Sequence, residues 1–173
     1  MKKIIFIEGL PGVGKTTIVN NLRNISNVNV VDEVINKDEE DNRTKYYLKN
    51  DELKIDLYKE GLIVIDRGFL STLSYEQSKR IINDDYDDSI ALKWFEKYKD
   101  IYNKENVSVI YLKRPNENYW LPYEDKKDPY GSIENQKLLE EVTMYNLKKY
   151  SKNQKVISYS FDKMSEVINE IIS

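Results

Sequence analysis

The sequence predicts a three-layer α/β sandwich on a five-stranded parallel sheet. Three observations carry this expectation. Apolar, β-branched runs recur five times and alternate with stretches of helical periodicity; crossovers of that length join parallel rather than antiparallel strands. The run Leu62-Ile63-Val64-Ile65 is apolar without alternation, as in a central strand buried on both faces. The first run, Ile4-Ile5-Phe6-Ile7, leads into Gly9-Leu10-Pro11-Gly12-Val13-Gly14-Lys15-Thr16. That stretch fits G-x-x-x-x-G-K-[ST], the loop that joins a buried strand to a helix and cradles phosphate.

The loop's residue types have physical reasons. Gly9, Gly12 and Gly14 let the backbone turn tightly and leave N–H groups bare to ring a phosphate. The helix starting near Gly14 points its positive dipole end at the same place. Lys15 is suited to reach β- and γ-phosphates, and the Thr16 hydroxyl to complete a magnesium shell. The candidate ATP-binding residues are therefore Gly9, Leu10, Pro11, Gly12, Val13, Gly14, Lys15, Thr16 and Thr17. Thr17 opens an amphipathic stretch with Ile18 and Leu22 four apart, so the loop is more than a chance glycine-rich turn. The loop binds a nucleoside triphosphate; it does not by itself say what becomes of the γ-phosphate.

The remaining elements follow in order. The first helix is expected over about 15–24 and a second strand over Val28–Val31, ending on Asp32-Glu33. Residues 36–42 are polar and acidic and read as a loop. The spacing from 43 to 59 predicts a helix with Tyr47, Leu48, Ile55, Leu57 and Tyr58 on its buried face, stopped by Gly61. Leu62-Ile63-Val64-Ile65 ends on Asp66-Arg67-Gly68, and a helix is expected over 69–82. Ser89 is a plausible cap for a helix through 102 with Ile90, Trp94, Tyr98 and Ile101 inward. A fourth strand covers 107–112 and Pro115 ends it. Ser132, followed closely by Glu134 and Gln136, is expected to cap a helix to Tyr150. A fifth strand is expected over 156–159 and a closing helix over 165–172.

Composition bounds the chemistry. The 173 residues suit one domain, 1–173, with one core. The apolar fraction is 40% and the charged fraction 33%, so a heavily charged surface is expected. A net charge of −3 argues against a nucleic-acid-coating or anionic-membrane protein. No apolar stretch approaches a membrane span, the N-terminus does not read as a signal peptide, and a cytoplasmic location is expected. There is no cysteine and no histidine, so any proton acceptor must be a carboxylate, lysine, tyrosine or water.

In a parallel sheet the strand ends share one crevice. Asp66 ends an apolar strand, as in the Walker B pattern, and is a candidate magnesium ligand; the alternative is a cap for the next helix. Arg67 offers bidentate recognition of phosphate or carboxylate; the alternative is a surface ion pair. Glu33 could take a proton from an acceptor hydroxyl, pair with Arg67 and orient it, or stand as a solvated acid near Asp38, Glu39, Glu40 and Asp41. The 14 tyrosines read mostly as half-buried helix faces, although Tyr46, Tyr47, Phe69 and Tyr75 are placed where a base could stack.

These residues carry a resemblance. Phe6-Ile7-Glu8-Gly9-Leu10 before the loop, and the stretch from Gly61 through Asp66-Arg67-Gly68-Phe69-Leu70-Ser71 to Tyr75-Glu76, resemble the thymidylate kinase and deoxynucleoside kinase group of P-loop kinases. Asp66, Arg67, Ser71 and Tyr75 match the thymidylate kinase pattern, while Gly68, Ser74 and Glu76 depart from it. Val142-Thr143-Met144-Tyr145 and the stretch from Lys155 to Ile172 resemble that group's closing part. Glu33 falls where the group has a Glu-Pro pair, with Val34 in place of the proline. Pro11 stands where thymidylate kinases usually carry an acidic loop residue. Their lid often supplies an arginine; here none follows Arg114, and within the lid-like segment 115–131 Lys126 and Lys127 are the candidates for that role or simply a solvated loop.

The resemblance implies an ATP- and magnesium-dependent phosphoryl transfer to a small nucleoside or nucleotide acceptor, with Lys15, Arg67 and Glu33 at the reacting centre. It implies a nucleoside monophosphate acceptor first, with Arg67, Phe69 and Tyr75 binding it, and leaves a homodimer possible. The close alternative is a deoxynucleoside kinase with Glu33 as base. A polynucleotide 5′-kinase would need a basic groove that the net charge does not favour. The rival of another class, a nucleotide-dependent switch or regulatory NTPase, would carry an Asn-Lys-x-Asp motif after a late strand if it used GTP. Asn36-Lys37-Asp38-Glu39 lies too early and fails at its last position.

Overall fold

The structure is a computed structural model that describes residues 1–36, 43–116, 120, 122 and 129–173. Strands β1 (Lys2–Gly9), β2 (Val28–Val31), β3 (Gly61–Asp66), β4 (Val107–Lys113) and β5 (Gln154–Ser158) form one parallel sheet in the order β2-β3-β1-β4-β5. Helices α1 (Lys15–Leu22), α2 (Arg43–Lys54), α3 (Phe69–Ile82), α4 (Ser89–Tyr98), α5 (Ile133–Tyr150) and α6 (Met164–Ile172) lie between and after them. The chain steps outward from β1 to β2, returns through β3, and crosses β1 to reach β4. That reversal opens a crevice at the carboxyl end of β1.

Strand periodicity divides the core in two. Ile4 and Phe6 of β1, Ile63 and Ile65 of β3 and Val109 and Tyr111 of β4 face Phe69, Leu70 and Leu73 of α3, Phe95 of α4 and Leu147 of α5. Ile5, Ile7, Val64, Ile110 and Leu112 face the other way, onto Ile18 and Leu22 of α1 and Val167 and Ile171 of α6. Each buried aliphatic side chain contributes about 1.5–3 kcal/mol, so the sheet is held from both faces and its polar ends are positioned by an apolar middle.

Several boundaries differ from the sequence expectation. Helix α2 ends at Lys54, not 59, and Leu57 and Tyr58 are exposed. The chain turns at Leu53–Asp56 to bring Gly61 back beside the start of β1, where its N–H donates to the Met1 carbonyl. Gly61 thus opens β3 rather than merely stopping a helix. Helix α4 ends at Tyr98 and a 3₁₀ turn, Lys99–Asn103, completes the span. Its buried positions are Ala91 and Phe95, while Ile90 is exposed and Trp94 half-buried. Ile101, also expected inward, is buried and Tyr98 half-buried; Ser89 is the first helical residue and not the cap, a position that Asp88 holds without a side-chain bond. Strand β5 begins two residues earlier than expected, at Gln154, and ends at Ser158. The closing helix begins at Met164, after a 3₁₀ turn over Phe161–Lys163.

Ser132 does cap α5: its Oγ accepts from the Asn135 N–H at 3.1 Å. Ser132→Ala is therefore expected to lower stability by about 1 kcal/mol. Ser89→Ala, which removes no cap, should cost less than half of that. Urea midpoints of the two variants measure the difference.

Candidate active site

The site is assembled where β1 and β3 end side by side. Ile7 pairs with Asp66 in register, and the Arg67 N–H donates to the Ile7 carbonyl at 3.0 Å. The glycine loop and the Asp66-Arg67 turn are thereby held next to each other. Gly9 has φ +147°, and a Cβ there would lie 2.7 Å from the Leu112 carbonyl. Gly14, with φ +103°, starts α1 so close to Tyr159 that a Cβ would lie 2.8 Å from its ring. Both conditions exclude side chains.

Lys15 is buried and donates to the Gly9 carbonyl at 2.9 Å and the Leu10 carbonyl at 2.8 Å. Burial lowers its pKa, reinforced by Arg67, while Asp66, Glu33 and Glu8 pull the other way. Thr16 and Thr17 are exposed at the start of α1.

Asp66 is not a helix cap, since Gly68 occupies that position of α3. Its carboxyl is buried and Oδ1 has no hydrogen-bond partner among the described residues. Burial raises its pKa, against the pull of Lys15. Arg67 is not a surface ion pair: its side chain is 12% exposed, with Nη1 3.4 Å from Glu33 Oε1 and donating to Tyr75 Oη at 3.3 Å. Glu33 is thus tied to Arg67 and is not simply solvated.

Arg67, Glu33 and Tyr75 line a cavity of about 280 Å³ beside the loop, together with Arg43, Tyr47, Lys79 and Tyr130. Phe69 does not reach it. Its ring is buried and stacks on Tyr98 at 4.5 Å, so its place is in the core and not against an acceptor. Tyr47 lines the cavity, whereas Tyr46 packs edge-on against it at 5.4 Å. Lys126 and Lys127 lie outside the described residues.

Several residues of the site were not singled out from sequence. Glu8, within an apolar strand, accepts from the Gly68 N–H at 3.1 Å and from Ser71 Oγ, linking the loop to the turn. Its position was a usable signal: an acid at the inner end of a buried strand needs partners. Asp51 and Lys54 form a buried ion pair at 3.0 Å beneath the turn. Arg114, at the end of β4, donates to the Pro11 carbonyl at 2.8 Å and to Gln136, and lies over Trp120 at 4.9 Å. An arginine therefore touches the glycine loop itself, from a strand end.

With this geometry in place, similarity to known structures can be weighed. Neither a protein-family model nor a curated protein sequence matches the chain. Solved structures do. The thymidylate kinase of Candida albicans superposes with a TM-score of 0.66 at 16% identity, over 99% of this chain and 91% of that one. The deoxyadenosine kinase of M. mycoides, with bound dATP, superposes with a TM-score of 0.64 at 17% identity, over the whole of both chains. The chain has the P-loop kinase fold. A third neighbour, the YorR protein of Bacillus subtilis in complex with phosphorylated GDP, gives 0.61 at 15% identity over 98% and 94% of the two chains. No helix among the described residues is long and apolar enough to cross a membrane.

Burial raises the Glu8 pKa from 4.5 to about 7, against lowering by Ser71, Arg67 and Lys15. A raised native pKa means that the folded chain holds a proton that the unfolded chain releases. The resulting stabilisation is complete below pH 4.5 and lost as pH rises to about 7. It amounts to at most about 3 kcal/mol. Glu8→Gln should flatten this part of the stability profile, which denaturant titration at pH 4.5 to 8 would show.

Proposed function

We propose that the chain is an ATP- and magnesium-dependent kinase that phosphorylates a nucleoside monophosphate, in the manner of thymidylate kinases. The observation that carries this reading is Arg67, aimed into a cavity beside the phosphate loop. The cavity wall carries four cations (Arg43, Lys54, Arg67 and Lys79) against three acids (Glu33, Asp51 and Glu76), which favours an anionic acceptor. The fold shared with thymidylate and deoxyadenosine kinases supports it.

In this reading the loop N–H groups from Gly9 to Thr17 and the Lys15 ammonium hold the ATP phosphates. Asp66 Oδ1, without a partner among the described residues, and the exposed Thr16 hydroxyl suit a magnesium ion. When bound, the ion supplies charge neutralisation between the phosphates. Arg67 grips the acceptor's phosphate with its fork, and Tyr75 and Tyr47 border the base. An acceptor phosphate oxygen bonds to the γ-phosphorus as the bond to ADP breaks. Arg114 steadies the loop during this charge shift, and Lys126 or Lys127 would complete the lid. One kinase domain in the cytoplasm, acting alone or as a homodimer, fits this role.

One observation favours a second reading, a deoxynucleoside kinase. Glu33 lies beside Arg67, where a carboxylate could take the proton of an attacking 5′-hydroxyl.

Phosphoryl transfer from labelled ATP to a panel of nucleosides and nucleoside monophosphates tests the proposal. Labelling of a monophosphate is expected; labelling of nucleosides alone selects the second reading, and hydrolysis without any acceptor rejects both. Lys15→Ala should lower turnover by about 10²–10³-fold with the fold intact. Arg67→Lys should lower kcat/KM by about 10–100-fold with little change in melting temperature, because the fork is lost. Glu33→Gln should cripple transfer to a hydroxyl but slow transfer to a monophosphate much less, as parallel kinetics on both acceptors would show.

A further inference from the structure

We infer that Lys54 is a positioning residue for Asp66 and Arg67, and that Asp51 holds it in place. Lys54 is the last residue of α2 and is only 1% exposed. Its Nζ donates to Asp51 Oδ1 at 3.0 Å, to the Asp66 carbonyl at 3.2 Å and to the Arg67 carbonyl at 3.3 Å. An ammonium has three donors, and these are three acceptors. Asp51 is itself anchored to α3, accepting from Thr72 Oγ1 at 2.8 Å.

The turn so held is strained. Arg67 has φ +58°, a left-handed conformation that a side chain larger than glycine's rarely adopts. It is fixed on one side by β1, through Arg67 N–H to the Ile7 carbonyl and Gly68 N–H to Glu8. On the other side the carbonyls of Asp66 and Arg67 turn inward to Lys54. The conformation sends the Arg67 guanidinium to Glu33 and Tyr75 while its neighbour Asp66 acts on Lys15. Without the ammonium, two inward carbonyls and the Asp51 carboxylate would lose their donor, and the peptide between Asp66 and Arg67 would rotate toward water or another donor. A buried ion pair is seldom worth more than apolar packing for stability, so stability alone does not account for a lysine here. A demand for a donor to two specific carbonyls does.

The catalytic consequence rests on the kinase reading, whereas the structural one does not. The test is Lys54→Met, which keeps length and removes the donors, beside Leu48→Ala, a truncation of a buried residue on the same helix that removes no hydrogen-bond donor. In a crystal structure of Lys54→Met, Arg67 should leave φ +58° and its contact with Glu33 should open. In kinetics below its melting temperature, kcat should fall about 100-fold and acceptor KM rise about tenfold, with metal-free ATP binding unchanged. Leu48→Ala should lower the melting temperature and leave both constants near wild type. An unchanged turn in the crystal, or a kinetic loss that follows melting temperature alike in both variants, would overturn the inference. Should Lys54→Met not fold, Asp51→Asn, which frees the lysine without removing it, is judged by the same two readouts. If the wild type transfers phosphoryl to no acceptor, the kinase reading fails, and the crystal structure alone decides the role of Lys54.

Discussion

The parallel pairing of β1 with β3 is the constraint on which the site depends. Ile7 stands opposite Asp66, and one further hydrogen bond ties Arg67 to the same strand. This register places the glycine loop and the acid-arginine turn side by side at the carboxyl end of the sheet. A slip of one residue would turn every side chain of β3 to the opposite face, exposing Ile63 and Ile65 to the wrong helices and reversing Asp66. The register is secured by the apolar middle of the strands, whose alternate residues fill two separate cores. Hydrophobic burial therefore sets the placement of the charges, although none of the charged groups contributes to it.

Those charges are costly where they stand. Glu8, Lys15, Asp51, Lys54 and Asp66 are all buried at the end of an otherwise apolar sheet. Most find partners: Glu8 bonds Gly68 and Ser71, and Lys54 bonds Asp51 and two carbonyls. Lys15 instead rests on the carbonyls of its own loop, and Asp66 Oδ1 rests on nothing among the described residues. Arg67 Nε, on the neighbouring residue, likewise has no hydrogen-bond partner among the described residues.

Much of the fold was legible in the chain because its signals are local. The glycine spacing, the uniform apolar run of β3 and the Ser132 cap each depend on neighbours within a few residues. Errors fell where the deciding contact is distant. Leu57 and Tyr58 read as a helical face until the return to β1 at Gly61 cuts α2 short. Phe69 reads as a residue near the acceptor because it follows Arg67, yet the first turn of α3 points it at Tyr98. Nothing near Lys54 in sequence reveals that α2 passes beneath the end of β3.

By itself the sequence determined the order of strands and helices, the glycine-rich turn between β1 and α1 and the acid-arginine pair at the end of β3. These follow from periodicity and from backbone freedom at glycine, which act over short range. Only the tertiary structure decided which acids and bases meet. It paired Glu33 with Arg67, set Lys54 under the turn, joined Glu8 to Gly68 and brought Arg114 to Pro11. Contacts between residues tens of positions apart depend on strand order and helix packing, and a charge in the sequence carries no mark of the partner it will be buried against.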